Sequence, residues 1–148
     1  LYRHALELSL KALLLEAATL RQGEGEEPMF SEQLLSKHDL RPLIVLLQET
    51  FARFNYSWSI GKDVSCSYED VLELAEELDR LDSGSYAFRY PLTKSFKSAS
   101  LPHHLRFDVF EFSRRAGRAL EGVQGLIRSV HFEVCKIVDD DDDEEIQE

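Results

Sequence analysis

Cysteine is scarce in this chain, with two in 148 residues, Cys66 and Cys135. They stand far apart, with no CxxC or CxxH spacing, which argues against a disulfide framework and a structural zinc site. No metal site is therefore expected, and the thiols read as reduced ones in a cytoplasmic setting. Long apolar runs are lacking too. The longest, "ALLLEAATL" at 12–20, is broken by Glu16 and is too short to cross a bilayer, so no membrane association is expected. No charged-then-apolar leader ends in a small-residue cleavage site. The chain opens on Leu1 within a helical pattern, the start expected of a fragment with a further domain upstream. No internal repeat is present, and no P-loop, GxSxG, HExxH or GxGxxG motif, so none of the chemistries those motifs carry is indicated and no cofactor is expected.

The hydrophobic fraction of 43% and charged fraction of 30% belong to a globular domain. The length suits one such domain with a real core. The net charge of −11 is unevenly spread: the last ten residues, "DDDDDEEIQE", hold eight acids and no base. Residues 1–138 carry 20 acidic against 17 basic residues, a balance of −3. The chain thus divides into a mildly acidic domain, 1–138, and an acidic tail, 139–148, which self-repulsion predicts to be disordered. Such a tail is either a solvated end, or a mimic of nucleic-acid charge or docking strip for a basic partner. The overall balance opposes broad nucleic-acid affinity but leaves room for a local basic patch.

Helical periodicity organises the rest. Leu6, Leu10, Leu13, Ala17 and Leu20 recur at steps of three and four, which predicts a first helix ending near Gly23. "SKHDLRPLIVLLQETFARF" predicts a second, with Asp39 as N-cap and Pro42 in the first turn. Leu43, Leu46, Leu47, Thr50, Phe51 and Phe54 form its inward face. A third runs through "SYEDVLELAEELDRLD", where Ser67 and Asp70 form an acidic variant of the capping box and Val71, Leu74, Leu78 and Leu81 a seam. After a connector at 82–102 without period, residues 103–138 read as one long helix loosened at Gly117, Gly122 and Gly125. The expected fold is all-α, an antiparallel helical bundle of four to five helices.

The first helix also carries the densest polar signal. Arg3, Glu7 and Lys11 follow at four-residue steps, so they share a face and alternate in sign. His4 lies beside Arg3. Read blandly, this is a surface charge ladder worth a few tenths of a kcal/mol per pair. Read functionally, it is one wall of a ligand site.

Three short stretches, in order, decide which reading to develop: "YRHALELSLKALLL", "KHDLRPL" and "LDSGSYAFRYP". Together they resemble the HEPN family (higher eukaryotes and prokaryotes nucleotide-binding). The residues that carry the resemblance are Tyr2, Arg3, His4, Glu7, Lys11, His38, Asp39, Leu40, Phe88, Arg89, Tyr90 and Pro91, spread over residues 1–92. The resemblance implies a HEPN-like bundle of two helical pairs, often a homodimer, in toxin–antitoxin, anti-phage defence or RNA-processing settings. It also implies, in many members, metal-free RNA cleavage by an arginine separated by four to six residues from a histidine near the start of the last helix.

This chain departs from that motif. No arginine has a histidine at that distance; Arg115 has Glu121 there, and Arg128 has His131 only three residues on. Two substitute sets remain. "LPHHLR" places His103, His104 and Arg106 at the start of the last helix, where free N–H groups attract phosphate and histidines move protons. Alternatively it is a solvated capping segment. The other set is a ligand or structural cluster of Arg3, His4, Glu7, Lys11, His38, Asp39, Arg89 and Tyr90, in which Phe88 and Tyr90 fill a groove while Arg89 reaches a carboxylate. The expectation is a HEPN-like interaction module without the family's catalysis, acting through a homodimer or a protein partner. The alternative is a metal-independent ribonuclease, binding RNA or a nucleotide at a divergent His/Arg site.

Overall fold

The computed structural model describes residues 2–23, 35–53, 55, 58, 66–81 and 108–144, with side chains in the last stretch as far as Lys136. Four α-helices account for nearly all of them: α1 (Tyr2–Gly23), α2 (Leu40–Arg53), α3 (Tyr68–Leu81) and α4 (Val109–Glu144). The described residues hold no strand, so the fold is an all-α bundle.

Two of the helices, α3 and α4, start where the sequence supplies an acceptor for the free N–H groups of the first turn. At α3 the Ser67 hydroxyl takes the Asp70 N–H at 3.2 Å while the Asp70 carboxylate takes the Ser67 N–H at 2.9 Å, the reciprocal box expected from the sequence. Those bonds to Ser67 are the main reason the Asp70 carboxyl is held below its ordinary value. At α4 the cap is Asp108, which accepts from Phe110 and Glu111 at 2.9 and 3.0 Å. The helix therefore begins at Val109 rather than near His103. At α2 the expected cap, Asp39, is exposed. The carboxylate that takes the Leu40 and Arg41 N–H groups, at 2.9 and 3.1 Å, belongs to Asp79 near the end of α3. A tertiary partner has replaced a local one.

The helices pack in a ring, α1 against α2, α2 against α3, α3 against α4, with the longest seam between α1 and α4. Their directions follow from the contacts. Tyr2 meets Ser113 (2.8 Å) and Glu16 meets His131 (3.2 Å), so α1 and α4 run the same way. Asp79 meets the start of α2, while Trp58 bridges Phe51 to Tyr68 at the other end, so α2 and α3 are antiparallel. Glu77 meets Arg115 and Cys66 meets Gly122, so α3 and α4 are antiparallel as well. Antiparallel pairing thus holds on both sides of α3, whereas α1 runs parallel with α2 and α4.

Inside the ring lie Leu6, Leu10, Leu13, Leu14, Leu43, Ile44, Leu47, Phe51, Leu74, Leu78, Val123 and Leu126, all nearly inaccessible. Most of the apolar stripes read from the sequence lie on these faces; Leu46 and Leu81 are half-buried, and Phe54 lies outside the described residues. The α3–α4 seam is tightest at Gly122, where an added Cβ would sit 2.9 Å from the Cβ of Cys66. Gly117 and Gly125 face open space. Gly122→Ala is therefore expected to destabilise the fold by about 1–2 kcal/mol despite the better helix propensity of alanine. Gly117→Ala and Gly125→Ala are expected to stabilise it by about 0.5–1 kcal/mol. Urea melts of the three variants check this; equal signs would refute the close seam.

α4 continues through 139–144, where the like-charge run predicted an irregular tail. A helix already nucleated by packing adds one hydrogen bond per residue fixed, which offsets part of the repulsion. Among the described residues no helix is long and apolar enough to cross a membrane.

Candidate functional site

One end of the bundle gathers the starts of α1, α2 and α4 and the end of α3, and the polar ladder of α1 sits there. It is not a surface ladder. Arg3 is 4% exposed and Glu7 2%, among the most buried residues in the structure. Nη2 of Arg3 donates to the His38 carbonyl at 2.6 Å and to Asp79 Oδ1 at 2.9 Å. Nη1 of Arg3 lies 3.5 Å from Glu7 Oε2. Glu7 Oε1 takes Lys11 Nζ at 2.7 Å and His38 Nδ1 at 2.9 Å. Arg3 thereby ties α1 to α3 and to the residues that lead into α2, and Asp79 serves two ends at once, the guanidinium through Oδ1 and the N-terminus of α2 through Oδ2.

Burial opposes the charge on Glu7, but Lys11 and His38 outweigh it and hold its carboxyl below the ordinary value. A buried charge survives only when paired in this way. With two carboxylates against Arg3 and Lys11, the cluster is neutral before His38 is counted. Its cations are turned inward, so the arrangement can fix helix register but offers little to an incoming phosphate.

The sequence-derived cluster is therefore met in part. Arg3, Glu7, Lys11 and His38 come together; His4 and Asp39 are exposed at its margin. Arg89 and Tyr90 lie outside the described residues, as do His103, His104 and Arg106. Asp79, which sequence reasoning passed over, completes the network. Its only signal was a carboxylate next to the apolar seam residue Leu78, in the last turn of the helix.

A second polar locus lies on the α3–α4 seam, a cavity of about 60 Å³ lined by Cys66, Asp70, Glu73, Arg115, Arg118 and Ala119. It has room for a couple of waters and none for a nucleotide. Arg115 is tied to Glu77 at 2.8 Å and Glu73 at 3.4 Å. Burial, with Asp70 adding to it, pushes the Cys66 thiol up to about 11, so it stays protonated and unreactive. Among the described residues no group of three or more His, Cys, Asp or Glu side chains is arranged to hold a metal ion. Compared with protein-family models, with curated proteins and with solved structures, the chain matches none.

Proposed function

We propose that this chain is a HEPN-like helical interaction module without catalytic activity, which pairs with a second copy or a protein partner through the end of the bundle where the Arg3 cluster lies. The observation that carries the reading is the inward pairing of that cluster. Metal-free phosphoryl chemistry needs cations and proton carriers open to substrate; here Arg3 is held by Asp79 and Lys11 by Glu7. The same end exposes apolar side chains: Tyr2 at 38%, Val109 at 63% and Phe110 at 89%. A bacterial toxin–antitoxin or anti-phage setting rests on the family resemblance.

The test has two arms. Light scattering on the purified chain is expected to show self-association or, after mixing, capture of a partner, weakened about ten-fold by Phe110→Asp. Labelled RNA is expected to stay intact with the chain, with Arg89→Ala and with the His103→Ala/His104→Ala double variant. Cleavage that resists EDTA and disappears in the histidine variant would establish the ribonuclease reading instead.

A further inference from the structure

On the far half of the α1–α4 seam, away from the Arg3 cluster, three side chains meet that the interaction reading does not use. His131 and Cys135 are four residues apart on α4 and so share a face. Glu16 comes from α1. His131 Nδ1 lies 3.2 Å from Glu16 Oε2, and His131 Nε2 lies 3.6 Å from Cys135 Sγ.

The order of these contacts fixes their roles. A carboxylate only accepts, so Nδ1 carries the hydrogen of the bond to Glu16. In the neutral ring Nε2 then has the lone pair, and it faces the thiol. The S–H of Cys135 donates to it. Nucleophile, base and orienting acid stand in the sequence that activates a thiol. The geometry points to Cys135 as a modification site for low-molecular-weight disulfides, with His131 as its base and Glu16 as the positioning residue.

The exchange balances. His131 Nε2 takes the thiol proton as Cys135 Sγ attacks one sulfur of the small disulfide. The S–Cys135 bond forms while the S–S bond of the reagent breaks, and the leaving sulfur takes the proton back from His131. The reagent is the oxidant; one small thiol leaves and Cys135 remains in a mixed disulfide.

The surroundings suit a small reagent. Cys135 and His131 are both exposed, open to a small reagent. The neighbouring cation, Lys136, bonds Glu133 at 3.0 Å and lies 4.5 Å from the Phe132 ring centre, and Arg128 is exposed about two turns earlier. Cys66, buried and protonated, is an internal control within the same molecule.

The experiment treats the full chain with excess oxidised glutathione at pH 7 and follows it by intact mass and peptide mapping. One glutathione is expected on Cys135 and none on Cys66. His131→Ala is expected to slow the reaction about ten-fold or more, with free imidazole restoring part of the rate. Glu16→Ala is expected to slow it as well, while Glu16→Gln, which keeps an acceptor oxygen for Nδ1–H, retains most of it. Circular dichroism checks that these surface changes leave the helices intact. Wild-type rates in His131→Ala, or equal reaction at Cys66, would overturn the proposal. The outcome is independent of whether the chain pairs with a partner.

Discussion

Arg3→Ala is expected to lower the stability of the fold by about 3–5 kcal/mol, the cost of leaving buried charges without their partner. For a domain of this size that is a fall in midpoint temperature of about 10 °C. The cost comes from what remains. Glu7, 2% exposed, would keep only Lys11 and the exposed His38. Asp79 would lose the guanidinium while still capping α2. Adding Glu7→Gln to Arg3→Ala is therefore expected to recover about 1 kcal/mol, a coupling that thermal melts of the four-member cycle measure directly. Additive losses would mean that Arg3 and Glu7 do not act together. The network also sets an acid limit. Because Glu7 sits below its ordinary value of 4.5, the folded state holds fewer protons there than the unfolded chain. Its contribution is complete above that value and is lost as pH falls through the folded one. Stability below pH 4.5 should fall more steeply in the native chain than in Glu7→Gln.

Phe51→Ala is the second large effect, about 3–5 kcal/mol from lost burial and the cavity left behind. Phe51 is 1% exposed, and its ring lies 5.5 Å from that of Trp58, which in turn lies 5.5 Å from Tyr68. These rings close the end of the bundle where α2 hands over to α3. Trp58 is the sole tryptophan, so its fluorescence reads this end alone. A red-shifted emission before global unfolding is expected in the alanine variant. Phe51→Leu, which keeps most of the bulk, is expected to cost about 1 kcal/mol. An unshifted spectrum in Phe51→Ala would mean that the rings do not pack as described.

The apolar stripes were legible from spacing alone, because a helix buries one face and the period of 3.6 writes that face into the sequence. Leu6, Leu10, Leu13 and Leu20 on α1, and Val71, Leu74 and Leu78 on α3, are buried as their spacing implied. Caps were legible where cap and helix are neighbours in sequence, as at Ser67 and Asp70. They were misread where the acceptor comes from elsewhere, as when Asp79 takes the place expected of Asp39.

The candidate site divides in the same way. Arg3, Glu7 and Lys11 announced themselves by their four-residue steps, a local property. Whether that face looks at water or at another helix is not local, and only the packing of α1 against α2, with Asp79 of α3 reaching Arg3, turned the ladder inward. The meeting of Glu16 with His131 and Cys135 was equally out of reach, since Glu16 and His131 are 115 residues apart. The sequence by itself determined that the chain is helical and which faces of its helices are apolar, because both depend on near neighbours along the chain; it did not fix both ends of the last helix. Helix direction, the pairing of Arg3 with Asp79 and that of Glu16 with His131 were decided by tertiary structure alone. They depend on which helices meet, and burial of those apolar faces is compatible with more than one arrangement until the polar groups select one.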